Sequence, residues 1–120
     1  MSKKELGQKK RTVILQQIEA LELEEVMLAD GFDHAILGLV EFNVGNRITK
    51  QKSDVELDVA TLAREITVVA YSTKAILESL MDDGMSLEDA QEYFEFNIKG
   101  AWVGPATPVY VQDELDLFVV

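Results

Sequence analysis

The segment 72–111 constrains the fold more than any other part of this 120-residue chain. Its sequence predicts two capped helices, at 73–83 and 87–98, then a compact turn containing glycine and proline, and a short strand at 109–111. Ser86 begins a capping box, in which a serine hydroxyl accepts the backbone N–H three residues later and an acidic side chain there reaches back. These signals leave few residues of the segment without a predicted structure.

Two apolar segments upstream predict strands. Residues 66–71 are rich in β-branched side chains, which favour extended backbone. Residues 35–42 form a short apolar run around Gly38, where we expect another backbone or a helix to approach closely. With the strand at 109–111, they predict an α+β fold: a small sheet of about three strands, covered on one face by the two C-terminal helices, plus an N-terminal helix.

The N-terminal helix is predicted to run from Thr12 to the Asp30-Gly31 pair. Gly31 can adopt the left-handed backbone conformation that commonly ends a helix. Four apolar side chains recur at helical spacing and predict a buried stripe: Ile14, Ile18, Leu21 and Leu28. We expect this stripe to pack on the body of the protein, and a helical arm that joins two subunits is the alternative.

Charge is distributed unevenly along the chain. The net charge is −11, with +4 on residues 1–11 and −15 on the remainder. We predict that residues 1–11 form a disordered basic tail, because chain termini without anchoring contacts are poorly ordered. The alternative is that this tail pairs with the acidic body of a neighbouring subunit. Residues 12–120 are predicted by their length to form a single domain.

The stretch 44–65 separates the two strands predicted at 35–42 and 66–71. Residues 47–53 are polar and predict a loop. The apolar residues that follow fit either a strand or a helix. Because Ser53 with Glu56 makes a second capping box, we favour a short helix at about 54–64.

Composition excludes several classes of protein. The chain has no cysteine, which removes disulfides and thiolate catalysis and leaves zinc only His34 and carboxylates as ligands. Its apolar runs are far shorter than a membrane span, and its basic N-terminus lacks the apolar core of a signal peptide. Its acidic surface repels nucleic acid, because affinity for phosphate comes mainly from lysine and arginine. We therefore expect a cytoplasmic protein without direct nucleic-acid or membrane binding.

Several motifs resemble those of one family. DGxDxAxxG corresponds to residues 30–38, VVAY to 68–71, GMSLEDA to 84–90, and EYFxFNxxGAxVGxxTP to 92–108. In these motifs the chain resembles a family of small uncharacterised proteins found mostly in bacteriophages and some bacteria. The resemblance implies a phage origin and a core fold, and it implies no particular activity. The N-terminal helix and residues 44–65 look like additions to that core.

The candidate binding residues lie in two segments. The turn of Asp30, Asp33 and His34 places two carboxylates beside the only histidine, which suits a metal ion or acid–base chemistry. Capping of the following turn is the structural alternative. The second segment combines aromatic side chains with the glycines of a loop: Tyr93, Phe96, Asn97 and Trp102. Such residues suit a protein or ligand contact, or packing on the sheet beneath, whereas the acidic surroundings disfavour stacking of nucleic-acid bases.

We predict a non-enzymatic, acidic interaction module that binds a host or phage protein with a basic surface, for example to inhibit a defence or nucleic-acid enzyme. The resemblance, the charge and the lack of a catalytic signature motivate this prediction, and no catalytic residue, metal or cofactor is assigned. The alternative is a small-ligand-binding protein whose pocket contains Trp102, Tyr93 and the 30–34 turn. A weak metal-dependent enzyme using the carboxylates and histidine of that turn is a third hypothesis. The exposed edges of a small sheet also offer a route to a homo-oligomer.

Overall fold

The computed structural model describes residues 2–44, 64–101 and 104–113. A 3-10 turn, Asp33–Ala35, precedes the first strand, and a π-helical segment, Phe94–Lys99, continues the last helix. The other regular elements confirm the predicted α+β class: helices α1 (Lys3–Ala20), α2 (Thr73–Asp82) and α3 (Leu87–Tyr93), and strands β1 (Ile36–Asn43), β2 (Glu65–Ser72) and β3 (Val109–Val111).

The three strands of the described residues form one sheet with β2 in the centre. β1 pairs with β2 in the antiparallel direction, and β3 pairs with β2 in parallel. A parallel pair requires a crossover connection, which α2 and α3 provide between β2 and β3. The predicted strands at 35–42, 66–71 and 109–111 agree with the structure to within one residue at each end.

Gly38 lies at an irregularity of the sheet. The register between β1 and β2 shifts between Ile36 and Gly38, and Gly38 has a φ of +152°, a backbone conformation that favours glycine. In the described part of the chain, a Cβ atom at Gly38 would meet nothing within 4 Å beyond its chain neighbours. Among the described residues no backbone or helix makes the predicted close approach to Gly38, and the glycine serves a β-bulge.

The core lies between β2 and the helices. Val69 and Tyr71 of β2 belong to one buried cluster with the inner faces of α2 and α3, and Ile14 of α1 joins it. The rings of Tyr71 and Tyr110 stack with their centroids 5.9 Å apart, and Phe94 meets Tyr110 edge-on at 5.4 Å. These aromatic pairs join the central strand to β3 and to the π-helical segment.

Serine caps begin both C-terminal helices. The Ser72 hydroxyl accepts the Ala75 N–H at 3.0 Å, and the Ser86 hydroxyl accepts the Asp89 N–H at 3.1 Å. Each bond satisfies a backbone donor that has no partner within its own helix. The cap predicted at Ser86 is confirmed, and α2 ends within one residue of its predicted end at 83.

The N-terminal helix begins earlier than predicted. Residues 3–11 are helical rather than disordered, because the helix has a serine cap and its cations find partners in the body of the protein. Lys3 Nζ donates to Ser79 Oγ at 3.0 Å, and Lys10 Nζ donates to the His34 carbonyl oxygen at 2.9 Å. The prediction of a disordered basic tail is therefore wrong.

The same helix ends at Ala20, well before the predicted end at the Asp30-Gly31 pair. Glu22 adopts a φ of +54°, and the acidic segment 22–25 follows the last helical turn. Carboxylates disfavour the negative C-terminal end of a helix, so this segment leaves the helical path. Gly31 has the predicted positive φ, +87°, but it serves the turn before Asp33–Ala35 rather than the end of α1.

Three predictions fall outside the described ranges. These are the loop at 47–53, the helix at 54–64, apart from its last residue, and the placement of Trp102. Arg64 is described, and its carbonyl oxygen accepts the Val44 N–H at 2.8 Å, next to the end of the β1–β2 ladder. Within the described ranges, no helix has both the length and the apolar character needed to cross a membrane.

Candidate functional site

The outer surface of α3 and its π-helical continuation carries the candidate site. Ala90, Phe94 and Ile98 recur at spacings of four and are buried in the core. This stripe leaves Tyr93 and Phe96 on the outside, with 42% and 75% of their surface exposed. Two neighbouring aromatic rings outside the core form part of an apolar contact surface.

The helix changes from α-helical to π-helical geometry at Phe94. The chain is therefore helical over the whole predicted range of 87–98, but only the part up to Tyr93 is an α-helix. Gly100 permits the tight end of the π-helical segment, because a Cβ atom there would lie only 3.0 Å from the Glu95 carbonyl oxygen. π-Helical turns are rare and recur at functional sites, since they redirect side chains relative to the preceding helix.

A cleft of about 490 Å³ runs along this surface. We call its lining residues the α3 surface: Met85, Asp89, Glu92, Tyr93, Phe96 and Asn97. The structure thus brings together three of the predicted binding residues, Tyr93, Phe96 and Asn97. The other three escaped the sequence analysis, although a spacing of four from Asp89 to Tyr93 predicts that these two side chains share one helix face.

The α3 surface lies in an acidic region. Residues 81–99 contain six carboxylates and one cation, Lys99. Lys99 Nζ lies 3.7 Å from Glu95 Oε1 on the exposed side of the helix, and exposed pairs of this kind contribute little to stability. Aromatic rings rimmed by carboxylates attract cationic groups, which gain both charge pairing and contact with the ring faces.

The turn at 30–34 is occupied by contacts with α1. Asp33 Oδ1 lies 3.3 Å from Arg11 Nη1. Gly7 allows α1 to come close, because a Cβ atom there would lie 3.2 Å from the His34 backbone nitrogen. Among residues 2–44, 64–101 and 104–113, no group of three or more His, Cys, Asp or Glu side chains is placed to hold a metal ion. These contacts give the turn a structural role that the sequence did not predict, the anchoring of α1, whereas the 3-10 turn Asp33–Ala35 has no side-chain cap from the residues described.

His34 is packed between α1 and α2. Burial disfavours the charged ring and is the main reason why the pKa of His34 lies below its ordinary 6.5. The positive charges of Lys3 and Lys10 also lower the pKa of His34. Hydrogen bonding to the Ala75 backbone and the negative charge of Asp33 raise it. The Nε2 atom is buried and has no hydrogen-bond partner in the described part of the chain. A half-buried ring held between two helices in this way favours a structural role over proton transfer at the surface.

The predicted binding residues are divided between two described clefts. Asp33 and His34 line a second cleft of about 340 Å³ beside the start of α1, and this cleft shares no lining residue with the α3 surface. Asp30 is exposed and lines neither of them. Because Trp102 lies outside the described ranges, a common pocket of Trp102, Tyr93 and the turn stays a prediction.

No protein-family model, no curated protein and no solved structure matches the chain. The resemblance to the phage family therefore stays a prediction.

Proposed function

We propose that the protein is a non-enzymatic interaction module that binds a basic partner protein through the α3 surface. The proposal rests mainly on the exposure of Phe96. This residue is 75% exposed and lines a cleft that also contains carboxylates. Burying a phenylalanine side chain contributes roughly 1.5–3 kcal/mol relative to leaving it in water. Buried aromatic anchors of this kind commonly dominate the energy of a protein interface.

Charge defines the chemistry of the partner. Asp89 and Glu92 line the cleft, and burying their carboxylates against an apolar partner would cost the hydration of two charges. A lysine or arginine of the partner offsets this cost by pairing with them, and its charge also interacts favourably with the rings of Tyr93 and Phe96. The partner therefore presents cationic and apolar side chains together on one surface.

The resemblance to phage proteins supports a more specific form of this proposal. In this form the protein is phage-encoded, acts in the host cytoplasm and binds a host or phage protein. Enzymes that bind nucleic acid carry basic surfaces, because lysine and arginine hold the phosphates. A protein with a net charge of −11 is attracted to such a surface and can cover it, so inhibition of a defence or nucleic-acid enzyme is one outcome.

Phe96→Ser tests the proposal. Tagged wild-type protein and the variant are used as baits in host lysate at low and moderate salt, and the captured proteins are quantified by mass spectrometry. We expect a basic protein that the wild type captures and that the variant captures at least about tenfold less. Leu21→Ser is the matched control, because Leu21 is also a large exposed apolar side chain and lies outside the α3 surface.

Titration of the purified captured protein then measures the dissociation constant directly. The proposal expects a constant that rises with salt, as charge pairs across the interface are screened, and that Leu21→Ser leaves unchanged. Recovery of no partner at either salt concentration contradicts the proposal. Equal binding by wild type and Phe96→Ser contradicts it as well, since the anchor would then lie elsewhere.

A further inference from the structure

The outer face of α1 carries a second contact surface. Helical geometry of 3.6 residues per turn puts Leu6, Lys9 and Val13 within about 60° of one another around α1, roughly 80–160° away from the buried residues Gly7 and Ile14. Leu6 and Val13 are 37% and 52% exposed, and Lys9 is exposed between them. We call these three residues the α1 stripe.

Lys9 is distinct from the cations that hold α1 in place. Lys3, Lys10 and Arg11 bond to groups of α2 and of the 30–34 turn, whereas Lys9 is exposed and lies roughly 100° or more around the helix from each of them. Two apolar side chains with a cation between them, on an otherwise acidic protein, have the chemistry that the α3 surface requires of a partner. Each copy of the chain therefore carries both a cationic, apolar surface and the acidic, aromatic surface that complements it.

The dimensions of the two surfaces agree. At a rise of 1.5 Å per residue, the α1 stripe spans about 10 Å from Leu6 to Val13. Helix α3, Leu87–Tyr93, is about 10 Å long by the same measure, and its π-helical continuation extends the α3 surface further. Two helix faces of similar length can pack along each other with interdigitating side chains, which brings Lys9 to the carboxylates that line the cleft.

We propose that the α1 stripe of one copy binds the α3 surface of a second copy of this chain. The two surfaces differ, so each copy offers one of each, and the contact repeats head to tail into a closed ring or an open chain. Symmetric pairing is disfavoured because it places carboxylates against carboxylates at α3, or Lys9 against Lys9 at α1. The inference rests on the proposed function, since a second copy and a foreign basic partner compete for the same α3 surface.

Size-exclusion chromatography coupled to light scattering, at low and high salt, measures the assembly. Wild-type protein should exceed the monomer mass at low salt and return towards it at high salt, because salt screens the attraction between Lys9 and the carboxylates. Two variants each remove one side of the contact: Lys9→Glu combined with Val13→Ser, and Phe96→Ser. Each variant by itself should be monomeric, with a dissociation constant raised at least about tenfold.

A mixture of the two variants is the decisive sample. The Lys9→Glu, Val13→Ser protein retains its α3 surface and the Phe96→Ser protein retains its α1 stripe, so an equimolar mixture should form a dimer and nothing larger. Lys4→Glu is the matched control, because it makes the same change of charge at an α1 position off the stripe, and it should assemble as the wild type does. Circular dichroism spectra and unfolding midpoints check that every variant is folded.

A wild-type protein that is monomeric at low salt and high protein concentration overturns the inference. Variants that each still dimerise, or whose mixture stays monomeric, overturn it too, because a head-to-tail contact predicts neither. The two proposals fail separately. A monomeric wild type that captures a basic protein through Phe96 refutes only the self-association, whereas an assembling wild type that captures no foreign protein refutes only the proposed function.

Discussion

Replacing Tyr71 by phenylalanine removes one hydroxyl from the centre of the fold. Tyr71 is fully buried in β2, and its oxygen accepts the Ala29 N–H at 2.7 Å, which ties the irregular segment after α1 to the central strand. The variant keeps the ring and its stacking on Tyr110, while the Ala29 N–H loses its partner. Leaving this partly buried donor unpaired costs roughly 1–3 kcal/mol, so we expect the free energy of unfolding to fall by this amount at neutral pH.

The pKa of Tyr71 adds a pH-dependent measure of the same environment. Burial is the main cause that raises it from 10.0 to about 12, and the hydrogen bond from the Ala29 backbone opposes the rise. The folded-state pKa lies above the unfolded one. The stability that the protonated Tyr71 hydroxyl contributes is therefore fully present below pH 10.0 and is lost as the pH rises through about 12. A pKa difference of this size corresponds to roughly 2–3 kcal/mol.

Urea denaturation over a pH series, followed by circular dichroism, measures both effects. At neutral pH the wild type should be more stable than Tyr71→Phe by the energy of the lost hydrogen bond. As the pH approaches 12, only the wild type has to ionise a buried hydroxyl on this strand. The difference in the free energy of unfolding should therefore shrink and disappear with rising pH.

Tyr93→Phe is the matched control, because Tyr93 lies on the outer surface with 42% of its area exposed. Its replacement should change the free energy of unfolding by less than about 0.5 kcal/mol. The reasoning is refuted if Tyr71→Phe is equally harmless at neutral pH. It is also refuted if the destabilisation by Tyr71→Phe persists unchanged up to pH 12.

Two further predictions concern acid stability. Asp113→Ala should lower the free energy of unfolding by about 1 kcal/mol at neutral pH, because this carboxylate accepts the Ser72 hydroxyl and the Lys74 N–H at the start of α2. Burial raises the pKa of Asp113, but its hydrogen bonds outweigh that effect and lower the pKa below 3.8. The difference in the free energy of unfolding between wild type and Asp113→Ala, measured by urea denaturation, should therefore vanish as the pH falls through the folded-state pKa. A difference that persists at lower pH contradicts the prediction. Burial lowers the pKa of His34 below 6.5. The uncharged ring therefore contributes to the free energy of unfolding above pH 6.5, and this contribution is lost as the pH falls from there towards the folded-state pKa. Thermal midpoints should therefore drop on acidification, and His34→Gln should flatten that drop; an unchanged pH profile would show that His34 is not its cause.

The central strand and the helix after it could be predicted from the sequence because their signals are local. A run of β-branched residues and a serine cap act within a few positions, and both β2 and α2 agree with the prediction to within one residue. The parallel pairing of β2 with β3 has no such signal. It depends on how α2 and α3 cross over the sheet, which brings Ala70 opposite Val109.

The true start of α1 escaped prediction because its partners are distant in the sequence. The residues of 3–11, taken by themselves, are typical of a frayed basic terminus. Lys3 reaches Ser79, and Arg11 reaches Asp33. The same kind of contact joins the 30–34 turn to α1, an anchoring role that the sequence did not indicate, and binding at this turn stays a prediction.

For the candidate site, the sequence by itself determined that Tyr93 and Phe96 lie off the apolar stripe of their helix, since helical periodicity follows from backbone geometry. Only the tertiary structure decided that Met85 joins them along one cleft and that His34 lies against α1 instead. Periodicity tells which side chains share a face, because neighbours in the chain set it. Which faces meet depends on contacts between residues far apart in the chain, so no single segment determines it.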